Sequence, residues 1–179
     1  MYGEAALHGH TGAASPTYSR RLRTLARMPT SAVSSRIVGA DVYLFDSDVI
    51  SEIRKGLNAN PGVREFFAKV SRDATDLYLS AITIGELRQG VERIRHRGDA
   101  AQAKRLERWL STVTTTYSQA ILPFDEQCAQ VWGRLRVPNP ENPLDKQIAA
   151  TALIYDLQVV TRNLAHYSST GVRLLNPFS

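Results

Sequence analysis

Val42-Tyr43-Leu44-Phe45-Asp46-Ser47-Asp48-Val49-Ile50 is the stretch from which the fold of this chain is read. Four apolar residues run directly into a carboxylate. A short continuous apolar run bounded by polar residues is the signature of a strand buried on both faces, as in a parallel sheet. Beyond Asp48 the spacing changes. Val49/Ile50, Ile53 and Leu57 recur three to four apart, which predicts a helix from there. Asp46 is therefore expected at the carboxyl end of a strand, the edge where open α/β sheets bind ligands. The plainer use of the polar residues is helix capping by Ser47 or Asp48. The sharper use is a metal-binding or nucleophilic aspartate. A calcium loop is excluded, because its fifth position is Ile50 and its sixth is Ser51 in place of glycine.

The same alternation continues downstream. Asn60-Pro61-Gly62 predicts a turn, with Pro61 opening a helix that carries Val63, Phe66, Phe67 and Val70. Leu77 to Ile82 predicts a second strand, and Thr83 a helix with Leu87, Val91 and Ile94 on one stripe. Cations at 93–97 and Gly98 mark the end of that helix. Asp99 and Asp125 are expected to cap helices over 100–117 and up to about Leu135. Ile121-Leu122-Pro123-Phe124 predicts a short edge strand, since Pro123 cannot donate to a ladder. After the prolines at 138, 140 and 143 come a helix over 143–156, a strand over 158–161, a helical turn over 164–168 and a strand over 172–175. Short strands alternating with helices give an α/β fold with a parallel sheet.

At 179 residues one domain is expected. No apolar run approaches the roughly 18 residues that span a bilayer. The single cysteine, Cys128, excludes an internal disulfide, fits a reducing, cytoplasmic location, and lies among apolar neighbours that predict packing in place of catalysis. The net charge of +5 is uneven. Residues 1–40 hold five arginines and one acid, and residues 41–179 hold 17 basic and 16 acidic residues. The first part is expected to be a basic, disordered extension, and the second the folded domain. Net charge alone does not point the folded part at nucleic acid.

Three further groups can join Asp46. Glu86 opens the stripe on its helix beside Leu87; the plain alternative is an exposed glutamate. Asp145 shares a helix face with Ile148/Ala149 and Ala152, where a carboxylate is costly unless paired or metal-bound. Its plain alternative is an acid suited to the helix dipole in the first turn. Thr161-Arg162-Asn163-Leu164-Ala165-His166 follows a strand, so Thr161 and Asn163 offer oxygen ligands or hydrogen bonds there. His166 can orient water, contact phosphate or ligate a metal, though a lone histidine is more often packed or at the surface. Acids from separate elements converging at strand ends suit a hard divalent cation such as Mg²⁺.

Four spaced blocks then carry a resemblance: Phe45-Asp46-Ser47-Asp48-Val49-Ile50-Ser51, Ser80 to Leu87, Leu144 to Ala150, and Val160-Thr161-Arg162-Asn163, followed by Gly171 to Phe178. In this order they resemble the PIN-domain ribonucleases, and among those the VapC/FitB-like toxins of type II toxin–antitoxin systems. The resemblance covers about residues 42–178. It implies a PIN-like fold, a central parallel sheet flanked by helices on both sides. It also implies a Mg²⁺- or Mn²⁺-dependent endoribonuclease that cuts single-stranded RNA with metal-activated water. Asp46, Glu86 and Asp145 match the acids that hold the metal. Ser47, Asp48, Thr161, Asn163 and His166 fall where supporting or substrate-binding residues are expected. A cognate antitoxin and a homodimer are implied as partners, and no membrane.

Two departures stand out. Ser47 and Asp48 replace the usual Thr-Asn, and His166 replaces a fourth acid, so that Asn163 is an alternative fourth ligand and one cation an alternative to two. Two other readings stay open. Strand-Asp46-x-Asp48 also suits a haloacid-dehalogenase-type phosphatase with Asp46 as nucleophile, although the only later acids after residue 130 are Glu141, Asp145 and Asp156. An inactive PIN-like module could bind RNA or protein through the arginines of 88–97.

Overall fold

A computed structural model describes residues 42–178. The basic extension expected over 1–40 lies outside the described residues. Strand β1 (Tyr43–Phe45) is the middle strand of a five-stranded sheet in which β2 (Leu77–Ser80) and β4 (Gln158–Val160) flank it, with β3 (Ile121–Leu122) and β5 (Arg173–Leu175) at the edges. Every pairing is parallel. Tyr43, Leu44 and Phe45 are all buried, so both faces of β1 are covered, as its unbroken apolar run requires.

Parallel neighbours need crossovers, and helices fill them. They are α1 (Ser47–Ile53), α2 (Pro61–Arg72), α3 (Ala81–His96), α4 (Ala100–Thr116), α5 (Glu126–Leu135), α6 (Pro143–Ile154) and α7 (Leu164–Tyr167). The chain runs from β1 outward through β2 and β3, then crosses β1 to β4 and β5. The order therefore reverses between β1 and β4, and the crevice at a reversal is where such sheets bind ligands. Phe45 stands opposite Leu79 on one side and Val160 on the other. Asp46, Ser80 and Thr161 consequently emerge side by side along one rim.

Several expected boundaries shift, each for a local reason. Asp46 itself, in extended conformation, caps α1, so the helix begins at Ser47 and neither Ser47 nor Asp48 is the cap. It ends at Ile53; Gly56, with φ +59°, starts a 3₁₀ turn that leaves Leu57 89% exposed, off the predicted stripe. The second strand stops at Ser80, whose hydroxyl accepts from Ile82 N at 3.1 Å and starts α3 two residues earlier than the apolar run suggests. Asn60, Asp99 and Asp125 cap α2, α4 and α5 through their side chains. Gly98, at φ +90°, supplies the left-handed turn between α3 and α4.

Two buried charged residues fix loops around the sheet. Glu52 accepts from Asn60 N at 2.8 Å, from Lys55 Nζ at 2.6 Å and from Arg162 Nη2 at 3.4 Å. Lys146 is fully buried and donates to the Asn139 carbonyl and to Glu141 Oε1, holding the proline-rich segment before α6. Cys128 is buried, and burial raises its thiol pKa, consistent with packing. Among the described residues no helix is long and apolar enough to cross a membrane.

Candidate active site

Asp46 sits at the reversal point with 4% of its surface exposed. Its Oδ1 accepts from Ser47 N at 2.6 Å. Its Oδ2 accepts from two hydroxyls, Thr161 Oγ1 at 2.8 Å and Tyr167 OH at 3.0 Å. Two donors fill the lone pairs of Oδ2, and Oδ1 keeps one free. Burial raises the pKa of this carboxyl, the three hydrogen bonds oppose the rise, and the charge of Asp145 adds to it.

Glu86 reaches the same region through α3. Thr83 Oγ1 donates to the Phe45 carbonyl at 3.3 Å, which ties the first turn of α3 to the end of β1. Glu86 follows three residues later, on the same helix face. It is half-buried, and its Oε2 is buried with no hydrogen-bond partner. Its pKa is pushed up to about 7, first by burial, then by the charge of Asp46, with Asp145 and Asp48 adding to the rise and a hydrogen bond with Ser47 working against it.

Asp145 lies in the first turn of α6, opened by Pro143. Ile148, Ala149 and Ala152 on its face are all buried, as the sequence predicts. Its Oδ1 lies 3.4 Å from His166 Nδ1. Asp48 takes a different position from a cap. Its Oδ2 accepts from Arg162 N at 2.9 Å, and its Oδ1 is buried without a partner. Burial and the neighbouring Asp46 push its pKa up to about 6.

Thr161 is fully buried and bridges Asp46 to Asn163, whose N–H donates to Thr161 Oγ1 at 3.0 Å. Asn163 and His166 are exposed at the mouth of this region. Tyr167 was not singled out from the sequence. The available signal is that a tyrosine buried in a core needs a partner for its hydroxyl.

Each of the acids Asp46, Glu86 and Asp145 thus stands within electrostatic reach of the others. Among the described residues, no three His, Cys, Asp or Glu side chains are gathered in an arrangement that could hold a metal ion as they stand. Their chemistry nevertheless fits a hard cation: the donors are carboxylate oxygens, Glu86 Oε2 and the Oδ1 of neighbouring Asp48 are buried without partners, and the like charges raise the pKa of Glu86 and Asp48.

The family model for the PIN domain matches residues 43–168, from β1 to just past α7, and so takes in Asp46, Glu86, Asp145 and the Thr161–Tyr167 segment. This chain belongs to the PIN-domain family. The PIN-domain chain is 33% identical over 144 residues to Toxin FitB of Neisseria gonorrhoeae, an alignment covering 76% of this chain and 99% of the toxin. It is 30% identical over 145 residues to VapC ribonuclease Y4jK of Sinorhizobium fredii, covering 76% and 98%. The fold matches the crystal structure of FitAcB from Neisseria gonorrhoeae with a TM-score of 0.66 at 30% identity, covering 76% of this chain and 98% of the other. DNA-bound VapBC from Salmonella typhimurium matches with a TM-score of 0.58 at 25% identity, covering 76% and 98%.

Proposed function

We propose that this PIN-domain protein is a VapC/FitB-like toxin, an endoribonuclease that cleaves single-stranded RNA with Mg²⁺ or Mn²⁺ held by Asp46, Glu86 and Asp145. The observation that carries the proposal is Glu86. A buried carboxylate oxygen with no partner, beside two other acids, is costly unless a cation answers it. The reversal of strand order at the β1/β4 crevice supports the same assignment.

In this account Asp46 is held rigid by its three donors and offers the remaining lone pair of Oδ1. Burial and Asp46 push the Glu86 carboxyl up to about 7, so a cation there would compete with a proton for it. Asp145 contributes an oxygen from α6. Asp48 and Thr161 support the rim, and Ser47, Asn163 and His166 are available to substrate. Asp46, Glu86 and Asp145 would hold the cation, which would supply Lewis-acid polarisation of a phosphodiester and a lowered pKa for a bound water.

The alternatives gain less support. Of the later acids, Glu141 is exposed and engaged by Lys146, and Asp156 is exposed and engaged by Arg173, so neither pairs with Asp46 as a phosphatase requires. The arginines of α3 that a binding module would use are partly committed: Arg88 and Arg95 pair with Glu92 and Glu107.

The relatives FitAcB and VapBC, named as two-component assemblies, support a small antitoxin as partner of this chain; a homodimer is proposed alongside it. The test is cleavage of a single-stranded RNA by the purified chain with Mg²⁺ or Mn²⁺, abolished by chelator and by a co-expressed antitoxin from the adjacent reading frame. Metal-independent cleavage, or phosphatase turnover without nuclease activity, contradicts the proposal.

A further inference from the structure

Helix α7 carries two consecutive side chains that reach two different acids. Tyr167 is 1% exposed, and its hydroxyl donates to Asp46 Oδ2 at 3.0 Å, at the end of β1. His166, with its side chain 45% exposed, places Nδ1 3.4 Å from Asp145 Oδ1 on α6. Neighbours on a helix point about 100° apart, which is what lets one turn touch two separate elements. The turn is itself anchored. Thr161 Oγ1 accepts from Asn163 N ahead of it, and behind it Thr170 donates to the Tyr167 carbonyl through both N, at 3.0 Å, and Oγ1, at 2.6 Å.

We infer that α7 is a two-point latch in which Tyr167 and His166 are positioning residues that fix which oxygens of Asp46 and Asp145 remain free for a divalent cation. The inference rests on the proposed metal-holding role of those acids and adds residues that neither holds the cation nor cuts the substrate. Tyr167 acts by occupancy. With Thr161 it uses both lone pairs of Oδ2, which resists rotation of the carboxylate and leaves the free lone pair on Oδ1. Removing the hydroxyl frees a lone pair and a rotation. His166 acts on Asp145 by donating from Nδ1 when that nitrogen carries the proton, restraining the carboxylate with a side chain that brings no negative charge. Groups that orient metal ligands in this way change metal affinity by about 10–100-fold when removed.

The test is calorimetric titration of MnCl₂, without RNA, into the full chain and into Tyr167→Phe, His166→Ala and His166→Asn. Circular dichroism checks that each variant is folded. Tyr167→Phe is expected to weaken Mn²⁺ binding by about tenfold or more. His166→Ala is expected to weaken it several-fold, and His166→Asn, which keeps an N–H donor, to recover most of the loss. Mn²⁺ binding within twofold of the parent in Tyr167→Phe overturns the latch. If Tyr167→Phe does not fold, the exposed His166 pair decides, and equal binding by parent, alanine and asparagine forms overturns it. A parent chain that binds no Mn²⁺ overturns the metal-holding role and the latch together; a parent that binds while the variants match it overturns the latch alone.

Discussion

Thr161 Oγ1 donates to Asp46 Oδ2 across 2.8 Å, joining residues 115 positions apart at the ends of β4 and β1. The bond closes the crevice where the strand order reverses, and the same oxygen accepts from Asn163 N to start the turn into α7. Thr161→Val removes both bonds while nearly keeping the shape. The variant is expected to lose about 1–3 kcal/mol of stability in urea unfolding, because the buried Asp46 Oδ2 loses one of its two donors and the Asn163 N–H loses its acceptor. Unchanged stability contradicts this account of the rim.

Glu86 and Asp48 give a pH prediction with a definite sign. Their carboxyls sit at about 7 and about 6 in place of 4.5 and 3.8, chiefly through burial and then through Asp46. A carboxyl raised on folding binds its proton more tightly in the folded chain. Its contribution is present below the unfolded value and is lost as pH rises towards the folded one. Without divalent cation, the melting temperature is expected to fall between about pH 4 and 7 and then level off. Acids lowered on folding, such as Glu52 and Asp125, act in the opposite sense but at pH below their unfolded values. Glu86→Gln is expected to flatten the fall, and Mn²⁺ to reverse it. Melting curves in chelator across this range check it, and a rise through the window contradicts it.

The strand that runs into Asp46 was legible because a buried parallel strand has a pattern of its own, and so was the buried stripe of Ile148, Ala149 and Ala152 that places Asp145 in the first turn of α6. The start of α3 was not. Leu77 to Ile82 is continuously apolar, and only the Ser80 hydroxyl, by capping, decides that Ala81 and Ile82 are helical. Leu57 kept the helical spacing but lies beyond Gly56, whose positive φ breaks the helix. Tyr167 and Glu52 escaped notice for a shared reason. Tyr167's partner Asp46 is 121 residues away and Glu52's partner Arg162 is 110 away, and periodicity carries no information about such distances; Glu52's bonds to Lys55 and Asn60 are local but break no periodic pattern.

Glu52 also yields a prediction. Its side chain is 7% exposed and gathers donors from Lys55, Asn60 and Arg162, and Arg162 in turn lies over the Phe178 ring at 3.9 Å. Glu52→Ala strands the Asn60 N–H and releases Arg162. It is expected to destabilise the fold by about 1–3 kcal/mol while leaving Mn²⁺ affinity within a few-fold of the parent. Chemical unfolding and metal titration separate the two effects, and loss of metal binding without loss of stability contradicts a structural role.

Asp46→Asn is expected to abolish cleavage without unfolding the chain. Burial disfavours the charged form of Asp46, but an amide accepts at only one of its two atoms and cannot keep all three donors of Ser47, Thr161 and Tyr167, so the metal-free melting temperature is expected to fall modestly. Residual metal-dependent cleavage by this variant, measured beside the parent, contradicts a central role for Asp46.

The central claim is that acids from β1, α3 and α6 grip one region of space for a divalent ion. The most direct measurement is an anomalous difference map from crystals of the chain soaked in MnCl₂. The account predicts a peak bounded by the carboxylates of Asp46, Glu86 and Asp145, with Glu86 Oε2 turned towards it. A peak that does not touch these three side chains, or no peak at a Mn²⁺ concentration that supports cleavage, would contradict it.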